Sequence, residues 1–592
     1  MPEVRPGAPP EVPLPEVPRA PRAWKLRDAP AAVDLAAALG IDPLTARLLA
    51  SRKIQGEDEA RLWLNGSLRD LPNPAQLSGM EKATLRLEQA LASQELICVH
   101  GDYDVDGCTS VALLVRFLRS VGGNVTWYAP HRQRDGYGVA LHTVERLADE
   151  GVRVLITCDT GVSAHEAIAL ANTRGVDTVV CDHHTPPEAL PEAHAIINPR
   201  LDGEGGPFWE LAAVGVSFML AIALRARLRD GGHFTNKPEP DLRDYLDIVA
   251  LGTVADLAPL RGANRLLVTT GLKVLAARKR PGLDALLTAS GVSTRDPIDA
   301  SHLGFRLGPR INAAGRLAEA SRAVDLMLSD DPSEAQLIAE ELDGYNRKRQ
   351  DLERRTYAEA LAQIQSDPRF SERRGLVLWS DQWHSGVVGI VASRLVHHVH
   401  RPTLVIAMKE GEGVGTGSGR AIYGVDLYSV LKRYEPLLER FGGHRAAAGL
   451  TIKEAQLPVL QEAFVSEAFE DSDPEVWRGT LSIDAELDLS DLGWPLYREV
   501  QQLAPFGIGN SQPLFAMKGI KARRIKALKK GGIRMELFDG EGATIDAVGF
   551  GLGVKPQDIT GPIDVAFHLQ ENHWRGVTSL EIRLRDIKTQ SD

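Results

Sequence analysis

From residue 96 onward the chain alternates short apolar runs with amphipathic stretches, which is the order expected of strand–helix–strand units. Four apolar runs have the length of buried strands, and apolar residues recur at helical spacing between them. This pattern predicts a parallel sheet with right-handed helical crossovers. Strands are predicted at 96–100, 124–128, 153–158 and 177–181, and helices at 109–120, 140–149, 163–174, 211–228 and 241–254.

A long helix is predicted to follow this domain. Asp331 is a capping residue, Pro332 occupies the first helical position, and Glu334 stands in the first turn. The helical spacing of apolar residues continues to about Ile364. At 1.5 Å per residue the helix would span about 50 Å, a length that suits a connector between two domains.

Two further domains follow in the pattern. Strands at 375–379 and 403–407, a helix at 386–398 and a Gly-rich return at 411–419 predict a smaller α/β domain. The last 115 or so residues lose helical periodicity, and their alternating runs predict a small β-barrel. The fold class is therefore α/β and multidomain. The predicted boundaries are 1–22 for a disordered tail, 23–94 for an N-terminal helical segment, 95–328 for the parallel-sheet domain, 329–368 for the connecting helix, 369–474 for the second α/β domain and 475–592 for the barrel.

Composition narrows the class of protein. The chain has 592 residues, a net charge of −11 and ordinary hydrophobic content, so it is expected to bury several cores. No apolar run approaches the length of a membrane span, and no leader pattern opens the chain, so a cytoplasmic protein with no membrane partner is expected. The acidic total disfavours a protein that merely coats nucleic acid, but it leaves nucleic-acid enzymes open. The cysteines form no C-x-x-C pair and are expected to be small buried side chains: Cys98, Cys108, Cys158 and Cys181.

Acidic and imidazole side chains follow the predicted strands. The run L-I-C-V-H-G-D-Y-D-V-D at 96–106 is the clearest case, and V-L-I-T-C-D, V-V-C-D-H-H and the segment before Asp256 repeat the arrangement. Taken alone, each could be a helix cap or a solvated acidic turn. Because parallel strands end at the same edge of a sheet, these side chains are expected to converge there. Mixed imidazole and carboxylate ligands suit Mn²⁺ or Mg²⁺, and a bridging carboxylate makes a two-metal centre. The converging residues are His100, Asp104, Asp106, Asp159, His183 and Asp256.

These motifs resemble the DHH phosphoesterase superfamily. The resemblance rests on H-G-D-Y-D-V-D-G at 100–107, T-C-D-T-G at 157–161, D-H-H at 182–184 and the later Asp256. Further along the chain, G-T-G-S-G-R and F-G-G-H resemble the DHHA1 domain that accompanies it, and the terminal barrel resembles an OB-fold. Within the superfamily the chain is most similar to the branch of single-strand-specific 5′→3′ DNA exonucleases.

The resemblance also assigns residues to a reaction. It implies that His184 lies beside the scissile phosphate as a hydrogen-bond donor or leaving-group acid, and that Asp182 orients an imidazole. Asp102 is left without a role, because the H-x-x-x-D-x-D spacing of the superfamily is filled without it. The implied ligands of the two Mn²⁺ or Mg²⁺ ions are His100, Asp104 and Asp159 for the first, and Asp106, Asp159, His183 and Asp256 for the second, with Asp159 bridging them.

Candidate substrate contacts lie in three other places. Three arginines flank an asparagine at 306–316 and suggest phosphate clamping, although surface loop charges are the alternative. The Gly-rich 415–420 stretch could cradle a phosphate with its backbone amides, and 442–444 forms a second close-approach loop. The basic run 278–280 is either a solvated helix end or a phosphate contact. The candidates are Arg280, Arg306, Arg310, Asn312, Arg316, Ser418, Arg420, Gly442, Gly443 and His444.

The predicted barrel carries a basic stretch in an otherwise acidic protein. OB-fold surfaces bind single strands with basic residues that follow the phosphate backbone and with aromatic side chains that stack on the bases. Docking of a partner protein is the alternative role. The basic residues are Arg523, Arg524, Lys526, Lys529, Lys530 and Arg534, and the aromatic candidates are Phe506, Phe538, Phe550 and Trp574, of which about half are expected in the core.

The expected function is therefore a monomeric exonuclease specific for single-stranded DNA, which releases 5′-mononucleotides by two-metal hydrolysis in DNA repair and recombination. The resemblance also implies a single-strand binding protein and a RecQ-type helicase as partners. A phosphodiesterase for short oligonucleotides or cyclic dinucleotides is one alternative, but such enzymes generally lack a barrel like 478–592. An inactive scaffold of a replication complex is the other, although every expected ligand position is filled.

Overall fold

The computed structural model describes residue 20 and residues 22–589, with gaps at 133, 137, 467–468, 470–472, 529–530, 541 and 575. Most of the predicted tail, Lys529, Lys530 and the side chain of Trp574 therefore lie outside the described residues. The predicted N-terminal helical segment instead opens with a strand. Its first two helices are separate, because Gly40 ends one of them in a left-handed conformation and Asp42 caps the next. The elements are β1 (Arg22–Leu26), α1 (Ala32–Leu39), α2 (Pro43–Ala50) and α3 (Glu57–Asn65).

The first α/β domain has a five-stranded, entirely parallel sheet with helices on both faces. Its elements are α4 (Met80–Ala92), β2 (Leu96–His100), α5 (Val105–Ser120), β3 (Asn124–Tyr128), α6 (Leu141–Asp149), β4 (Val152–Cys158), α7 (His165–Thr173), β5 (Asp177–Cys181), β6 (Ala195–Ile197), α8 (Ala213–Asp230), α9 (Leu246–Ala255), α10 (Gly262–Ala276), α11 (Pro281–Ala289), α12 (Ala300–His302), α13 (Gly308–Leu317) and α14 (Ser321–Leu328).

The strand order of this sheet is β3-β2-β4-β5-β6, which confirms the predicted parallel sheet. Helices α5, α8 and α9 pack together beside it and form the largest core of the protein. A π-helical turn, Leu303–Leu307, joins α12 to α13. All four cysteines are buried in this domain, as predicted.

A single helix of 35 residues, α15 (Pro332–Ser366), leaves this domain and begins at the predicted Asp331 cap. Ala335, Ile338 and Leu342 are buried in the first half, which packs against α11, α13 and α14. Leu361 and Ile364 are buried in the second half, which belongs to the core of the next domain. The helix therefore joins the two domains rigidly.

The second α/β domain has a mixed five-stranded sheet with helices on both faces. Its glycines at 415, 417 and 419 lie in a central strand, so the predicted phosphate-cradling loop is wrong. An added Cβ at any of them would lie 2.5–2.7 Å from core side chains of the neighbouring strand, which explains the glycines. The elements are β7 (Leu376–Ser380), α16 (Val388–Val399), β8 (Thr403–Met408), β9 (Val414–Arg420), α17 (Leu427–Arg433), β10 (Leu438–Gly443), β11 (Ala447–Lys453) and α18 (Leu457–Ser466), and the sheet order is β10-β11-β9-β8-β7.

The C-terminal domain is a closed barrel. Its elements are β12 (Gly479–Ile483), β13 (Ala485–Glu486), α19 (Trp494–Gln502), β14 (Phe515–Leu528), β15 (Gly532–Phe538), β16 (Thr544–Phe550), β17 (Ile563–Trp574) and β18 (Val577–Lys588). The strands follow the order β14-β15-β16-β18-β17, and β17 pairs again with β14 to close the barrel. The pair β16–β18 is parallel. This is the five-stranded architecture of an OB-fold.

The N-terminal segment packs on this barrel, which the sequence did not indicate. Strand β1 pairs in parallel with β12, and Leu48 and Leu49 share one core with Phe515 and Phe567. On the first domain, Arg265 of α10 lies 4.5 Å from the centre of a Trp63 ring in α3 and donates to the Leu503 carbonyl. The segment therefore braces the barrel against the first domain.

A buried guanidinium holds this brace together. Arg52, at the end of α2, donates to Asn510 Oδ1 at 2.8 Å and to the Ser511 carbonyl at 2.6 Å, and it faces the buried carboxylate of Asp484 at 3.5 Å. Burial lowers the pKa of Arg52 to about 10, and the charge of Asp484 opposes that shift. Both charges depend on each other because neither reaches water.

None of the helices in the described ranges combines the length and the apolar character of a membrane span.

Replacing Arg52 by Met should destabilise the brace by about 3–5 kcal/mol, because Asp484 would remain buried with only the longer ion pair to the part-exposed Arg27, at 3.9 Å. Denaturant unfolding followed by circular dichroism measures this change. Arg61→Met is the matched control: its ion pair with Glu57 is exposed and should be worth about 0.5 kcal/mol. Equal effects of the two substitutions would contradict the assignment.

Candidate metal centre

The carboxyl edge of the parallel sheet gathers the predicted acidic residues. His100 ends β2, Asp159 follows β4, and His183 follows β5 by two residues. Asp256 reaches the same edge from the C-terminal end of helix α9 rather than from a strand. The edge is therefore built from three strand ends and one helix end.

The loop between β2 and α5 is folded so tightly that only glycine fits at its end. An added Cβ on Gly107 would lie 2.4 Å from the backbone nitrogen of Asp102. Asp104 caps α5 by accepting a hydrogen bond from the Gly107 amide at 3.1 Å. Asp106, in the first turn of α5, accepts hydrogen bonds from the amides of Ala213 and Val214 at the start of α8. These contacts fix the carboxylates of Asp104 and Asp106.

Asp159 has a left-handed backbone, with φ of 60°, which is uncommon for a residue with a side chain. Its amide donates to the Cys181 carbonyl at 3.0 Å, so strand β5 holds the turn. Such strain concentrates at functional sites. Here the left-handed backbone directs the Asp159 carboxylate toward the centre of the edge, where its Oδ1 lies 3.2 Å from His183 Nε2.

Three groups of side chains present ligand atoms that lie within 4.8 Å of one another. His183 Nε2 lies 4.0 Å from Asp106 Oδ2, and its Nδ1 lies 3.8 Å from Asp256 Oδ2. Because Asp159 belongs to two groups, it stands between two adjacent positions for a cation. The groups are Asp102, Asp104 and Asp159; Asp106, His183 and Asp256; and Asp159, His183 and His184.

The first of these groups differs from the predicted ligand set. The structure places Asp102 with Asp104 and Asp159, whereas His100 belongs to none of the groups formed by the described residues. The His100 ring is fully buried and lies 5.4 Å from the Tyr128 ring of the neighbouring strand. Spacing along the sequence could not separate the two, because the direction of each side chain depends on the fold of the loop.

The donor set fits a divalent cation. Both ring nitrogens of His100, Oδ1 of Asp102 and Oδ1 of Asp159 are buried and have no hydrogen-bond partner among the described residues. Burial and then neighbouring carboxylates raise the pKa of Asp102 and of Asp106 to about 7 and that of Asp256 to about 9, and they also raise the pKa of Asp159. Burial lowers the pKa of His183 to about 4, so its imidazole is neutral, as a ligand must be.

His184 is held differently from His183. The buried carboxylate of Asp182 accepts hydrogen bonds from the amides of Val162, His183 and His184 and lies 2.7 Å from His184 Nδ1. Burial opposes charge on both partners, but their hydrogen bond and mutual attraction lower the pKa of Asp182 and raise that of His184. The hydrogen bond to Asp182 therefore favours the protonated imidazole, whose side chain is 40 % exposed at the edge.

A cluster of cations faces this edge from both α/β domains. Arg316 of α13 donates to the Gly386 carbonyl of the second domain at 3.2 Å. Burial, then the charges of Arg132 and Arg349, lower the pKa of Arg316 to about 10, and Arg420 contributes to the same shift. Arg420 donates to Ser418 Oγ at 2.8 Å. We call Arg132, Arg316, Ser418 and Arg420 the phosphate cluster.

Arg132 was not predicted from the sequence. It lies in the loop after β3, with its guanidinium 5.2 Å from the centre of the Tyr103 ring, and Asp135 folds this loop by accepting hydrogen bonds from the Tyr128 hydroxyl and the His131 amide. Arg132 could have been predicted from the rule that parallel strands end at one edge of a sheet, because β3 ends at that edge too. Arg200 was also missed: its guanidinium donates to the His183 carbonyl at 2.6 Å.

Three predicted substrate contacts are engaged elsewhere. Arg280 is buried against Asp247, with Nε 2.9 Å from Oδ2, near the start of α9 and thus at the opposite end from Asp256. Arg310 is paired with Asp343 of α15 at 2.8 Å. Arg306 is exposed and donates to the Ser290 carbonyl at 3.1 Å. Of the four arginines predicted in the first domain, the structure therefore brings only Arg316 into the phosphate cluster.

The remaining candidates lie at the rim. Asn312 shares a face of α13 with Arg316, one helical turn away. Gly442 and Gly443 are exposed at the end of strand β10 rather than in the predicted loop, and only His444 of this motif lies in the turn before β11. The neighbouring Ala447 pairs with Arg420. This turn is tight, because a Cβ on Gly443 would lie 2.4 Å from the Ala447 carbonyl oxygen.

On the barrel, much of the predicted basic stretch is neutralised. Arg523 and Arg524 are paired with Glu536, and Arg534 is paired with Asp546 at 2.8 Å. The Phe538 and Phe550 rings lie under guanidinium groups. The barrel face therefore has mixed charge, which total composition could not reveal.

Models of three protein families match successive parts of the chain. The DHH family, N-terminal domain, matches residues 96–253; the DHHA1 domain matches 373–470; and the RecJ OB domain matches 483–586. These matches follow the parallel-sheet domain, the mixed-sheet domain and the barrel.

Full-length relatives carry the same domains. The single-stranded-DNA-specific exonuclease RecJ of Salmonella typhimurium is 38% identical over 96% of this chain and 99% of its own length. Its Escherichia coli counterpart is 37% identical over 92% of this chain and 96% of its own length. The crystal structure of RecJ in complex with Mn²⁺ from Thermus thermophilus superposes with a TM-score of 0.79 at 32% identity, covering 96% of this chain and 79% of that one.

Binding of Mn²⁺ at pH 7 should release about two protons, because carboxyls with raised pKa must ionise to become ligands. The apparent affinity should rise from pH 6 to pH 9. The carboxyls hold these protons in the metal-free folded state but not when unfolded, so metal-free stability should fall over the same range. Calorimetry in buffers of different ionisation enthalpy counts the protons. Asp256→Asn should release about one fewer, and pH-independent affinity would refute the assignment.

Gly315→Ala should weaken Mn²⁺ binding by about tenfold. An added Cβ would lie 2.4 Å from the Tyr103 carbonyl oxygen, so α13 would push on the loop that carries Asp102 and Asp104. Calorimetric titration with Mn²⁺ measures the effect. Gly344→Ala is the control, since an added Cβ there meets no atom within 4 Å. Wild-type affinity in Gly315→Ala would show that this contact does not shape the site.

Proposed function

The chain belongs to the RecJ family of single-stranded-DNA-specific exonucleases, and we propose from this premise that its acidic edge is the centre at which phosphodiester bonds are hydrolysed. The chain is a metal-dependent exonuclease of single-stranded DNA. The observation that carries the proposal is the set of buried, unpartnered ligand atoms on His100, Asp102 and Asp159, among carboxylates that repel one another.

The proposed metal ligands lie at the same edge. Asp102, Asp104 and Asp159 would hold one Mn²⁺ or Mg²⁺ ion, with His100, whose buried ring nitrogens have no partner among the described residues, as a further proposed ligand of that ion. Asp106, Asp159, His183 and Asp256 would hold the other. Two such ions, when bound, neutralise the phosphodiester and lower the pKa of an attacking water. The protein's own contribution is to hold these ligands in place before the substrate arrives.

His184 is the proposed acid for the leaving oxygen. Asp182 would accept the Nδ1 hydrogen of His184, which fixes the ring. By raising the pKa of His184, it also favours the imidazolium, which carries a second hydrogen on Nε2 that can be donated. This arrangement resembles the use of a carboxylate to orient a catalytic imidazole. General acids of this kind contribute about 10²–10⁴-fold to rate.

The phosphate cluster is proposed to position the strand over the edge. Guanidinium groups bind phosphates in a geometry that fixes orientation, and they carry no base specificity. Arg132 and Arg316 come from the first domain, while Ser418 and Arg420 come from the second, so the strand would lie between the two. Asn312 and the turn at 442–444 would contact it from the rim.

Polarity and product are also part of the proposal. We propose that the enzyme removes 5′-terminal nucleotides successively as mononucleotides and acts in DNA repair and recombination. The barrel would hold the strand beyond the cleft, and a single-strand binding protein and a RecQ-type helicase are proposed partners of a monomeric enzyme.

Single-stranded DNA labelled at the 5′ or the 3′ end tests this function. With Mn²⁺, a 5′ label should appear at once as a mononucleotide, whereas a 3′ label should mark a ladder that shortens slowly. Asp159→Ala should be inactive because both metal positions lose a ligand. His184→Ala should retain Mn²⁺ binding and lower kcat by about 10²–10⁴-fold.

Arg229→Gln is the control for folding, because its ion pair with Glu239 is remote from the edge, on the last turn of α8. Cleavage restricted to di- to pentanucleotides would replace the proposal by a short-oligonucleotide phosphodiesterase. Equal inactivity of wild type and Asp159→Ala on all substrates would instead favour an inactive scaffold.

A further inference from the structure

A second cationic cavity lies outside the metal centre, where the N-terminal strand, the second α/β domain and the barrel meet. Its volume is about 590 Å³, which is within the range of ligand sites. Arg22 of β1 and Arg585 of β18 line one side, and His397 and His400 of the α16 end line another. Tyr423, shortly after β9, completes the lining. No role in the reaction uses these residues.

The arginines of this cavity lack the carboxylate partners that other barrel arginines have. Across the described residues, neither Arg22 nor Arg585 forms an ion pair, in contrast to Arg523, Arg524 and Arg534. The neighbouring carboxylate of Asp586 accepts a hydrogen bond from the Trp24 indole at 2.8 Å. Burial, then the charges of Arg22 and Arg583, lower the pKa of Arg585. An anion bound between the two guanidinium groups would relieve this repulsion.

The position of Arg22 is fixed by the fold. Trp24, two residues along β1, is anchored on the barrel by Asp586 and by Lys588, whose Nζ lies 4.8 Å from the centre of the indole. Arg22 itself pairs with Gly479 in the parallel ladder with β12. The cavity is therefore a built site, because strands from two distant parts of the chain hold its cations in place.

The aromatic side chain at the cavity indicates which anion it takes. Tyr423 is 98 % exposed, although its neighbour Ile422 is buried. An exposed ring beside paired cations is the combination that binds single-stranded nucleic acid, with the backbone on the cations and a base on the ring. Tyr423 follows Arg420 of the phosphate cluster by three residues, so the two backbones are at most about 11 Å apart. One strand could reach both places.

We propose that this cavity is a second binding site for single-stranded DNA, in which Arg22 and Arg585 bind the backbone and Tyr423 stacks on a base outside the metal centre. The proposal rests on the exonuclease function. It predicts that long strands bind more tightly because they reach a surface that short strands cannot.

The test compares a thirty-nucleotide strand with a dinucleotide on the full chain. Binding is measured with the metal chelated, and cleavage is measured with Mn²⁺. In R22Q/R585Q the affinity for the long strand should fall about tenfold, and the salt dependence of binding should weaken by about 0.7 for each phosphate that is no longer bound. Binding and cleavage of the dinucleotide should stay at wild-type values. Y423A should also lower long-strand affinity about tenfold, whereas Y423F should not.

Two controls separate this site from a general effect of charge or folding. R61Q/R229Q removes the same charge from two exposed, ion-paired arginines outside the cavity lining and should bind both strands like wild type. R22K/R585K keeps the charge and should retain most of the long-strand affinity.

Several results would overturn the proposal. Unchanged long-strand affinity in R22Q/R585Q would do so, and so would an equal loss on the dinucleotide. Binding of inorganic phosphate or dTMP that depends on Arg22 and Arg585, without an effect on strands, would identify a free-anion site instead. If wild type failed to cleave DNA, the exonuclease function would fail, while the metal-free binding comparison would still report on the cavity.

Discussion

The structure depends on confining carboxylates that repel one another at one sheet edge. Asp106, Asp159 and Asp256 approach the same imidazole within 4.0 Å, and each is largely removed from water. The fold supports this arrangement with backbone hydrogen bonds, such as those from the start of α8 to Asp106. A bound cation would make this arrangement favourable, because carboxylates that repel one another in its absence would all be attracted to it as ligands. The apolar core of α5, α8 and α9 holds the edge together in either state.

Much of this arrangement was predictable from the sequence, because it follows from local pattern and one topological rule. Apolar runs of strand length ending in Asp159 or His183 specify a parallel sheet and place those residues at its edge. The cap at Asp331 and the apolar spacing after it likewise specify α15. These features depend on residues that are near one another in the chain.

The features that were missed or wrong depend on long-range packing. Arg280 resembles a free cation in sequence, but it is buried against Asp247 of another helix. The glycines at 415–419 resemble a phosphate loop, but they allow close contact between two strands of a sheet. In each case the deciding atom lies in a segment that sequence spacing does not identify.

The shared core of α1–α3 and the barrel has a consequence for synthesis of the protein. Helix α3 ends at Asn65 and strand β14 begins at Phe515, so about 450 residues separate the two halves of this core. At 5–20 residues per second, the ribosome needs about 20–90 s to supply the second half. During that interval Leu48, Leu49 and Trp63 remain exposed, while the parallel-sheet domain can already fold. Nascent chains therefore present an apolar surface to chaperones and proteases until translation reaches the barrel.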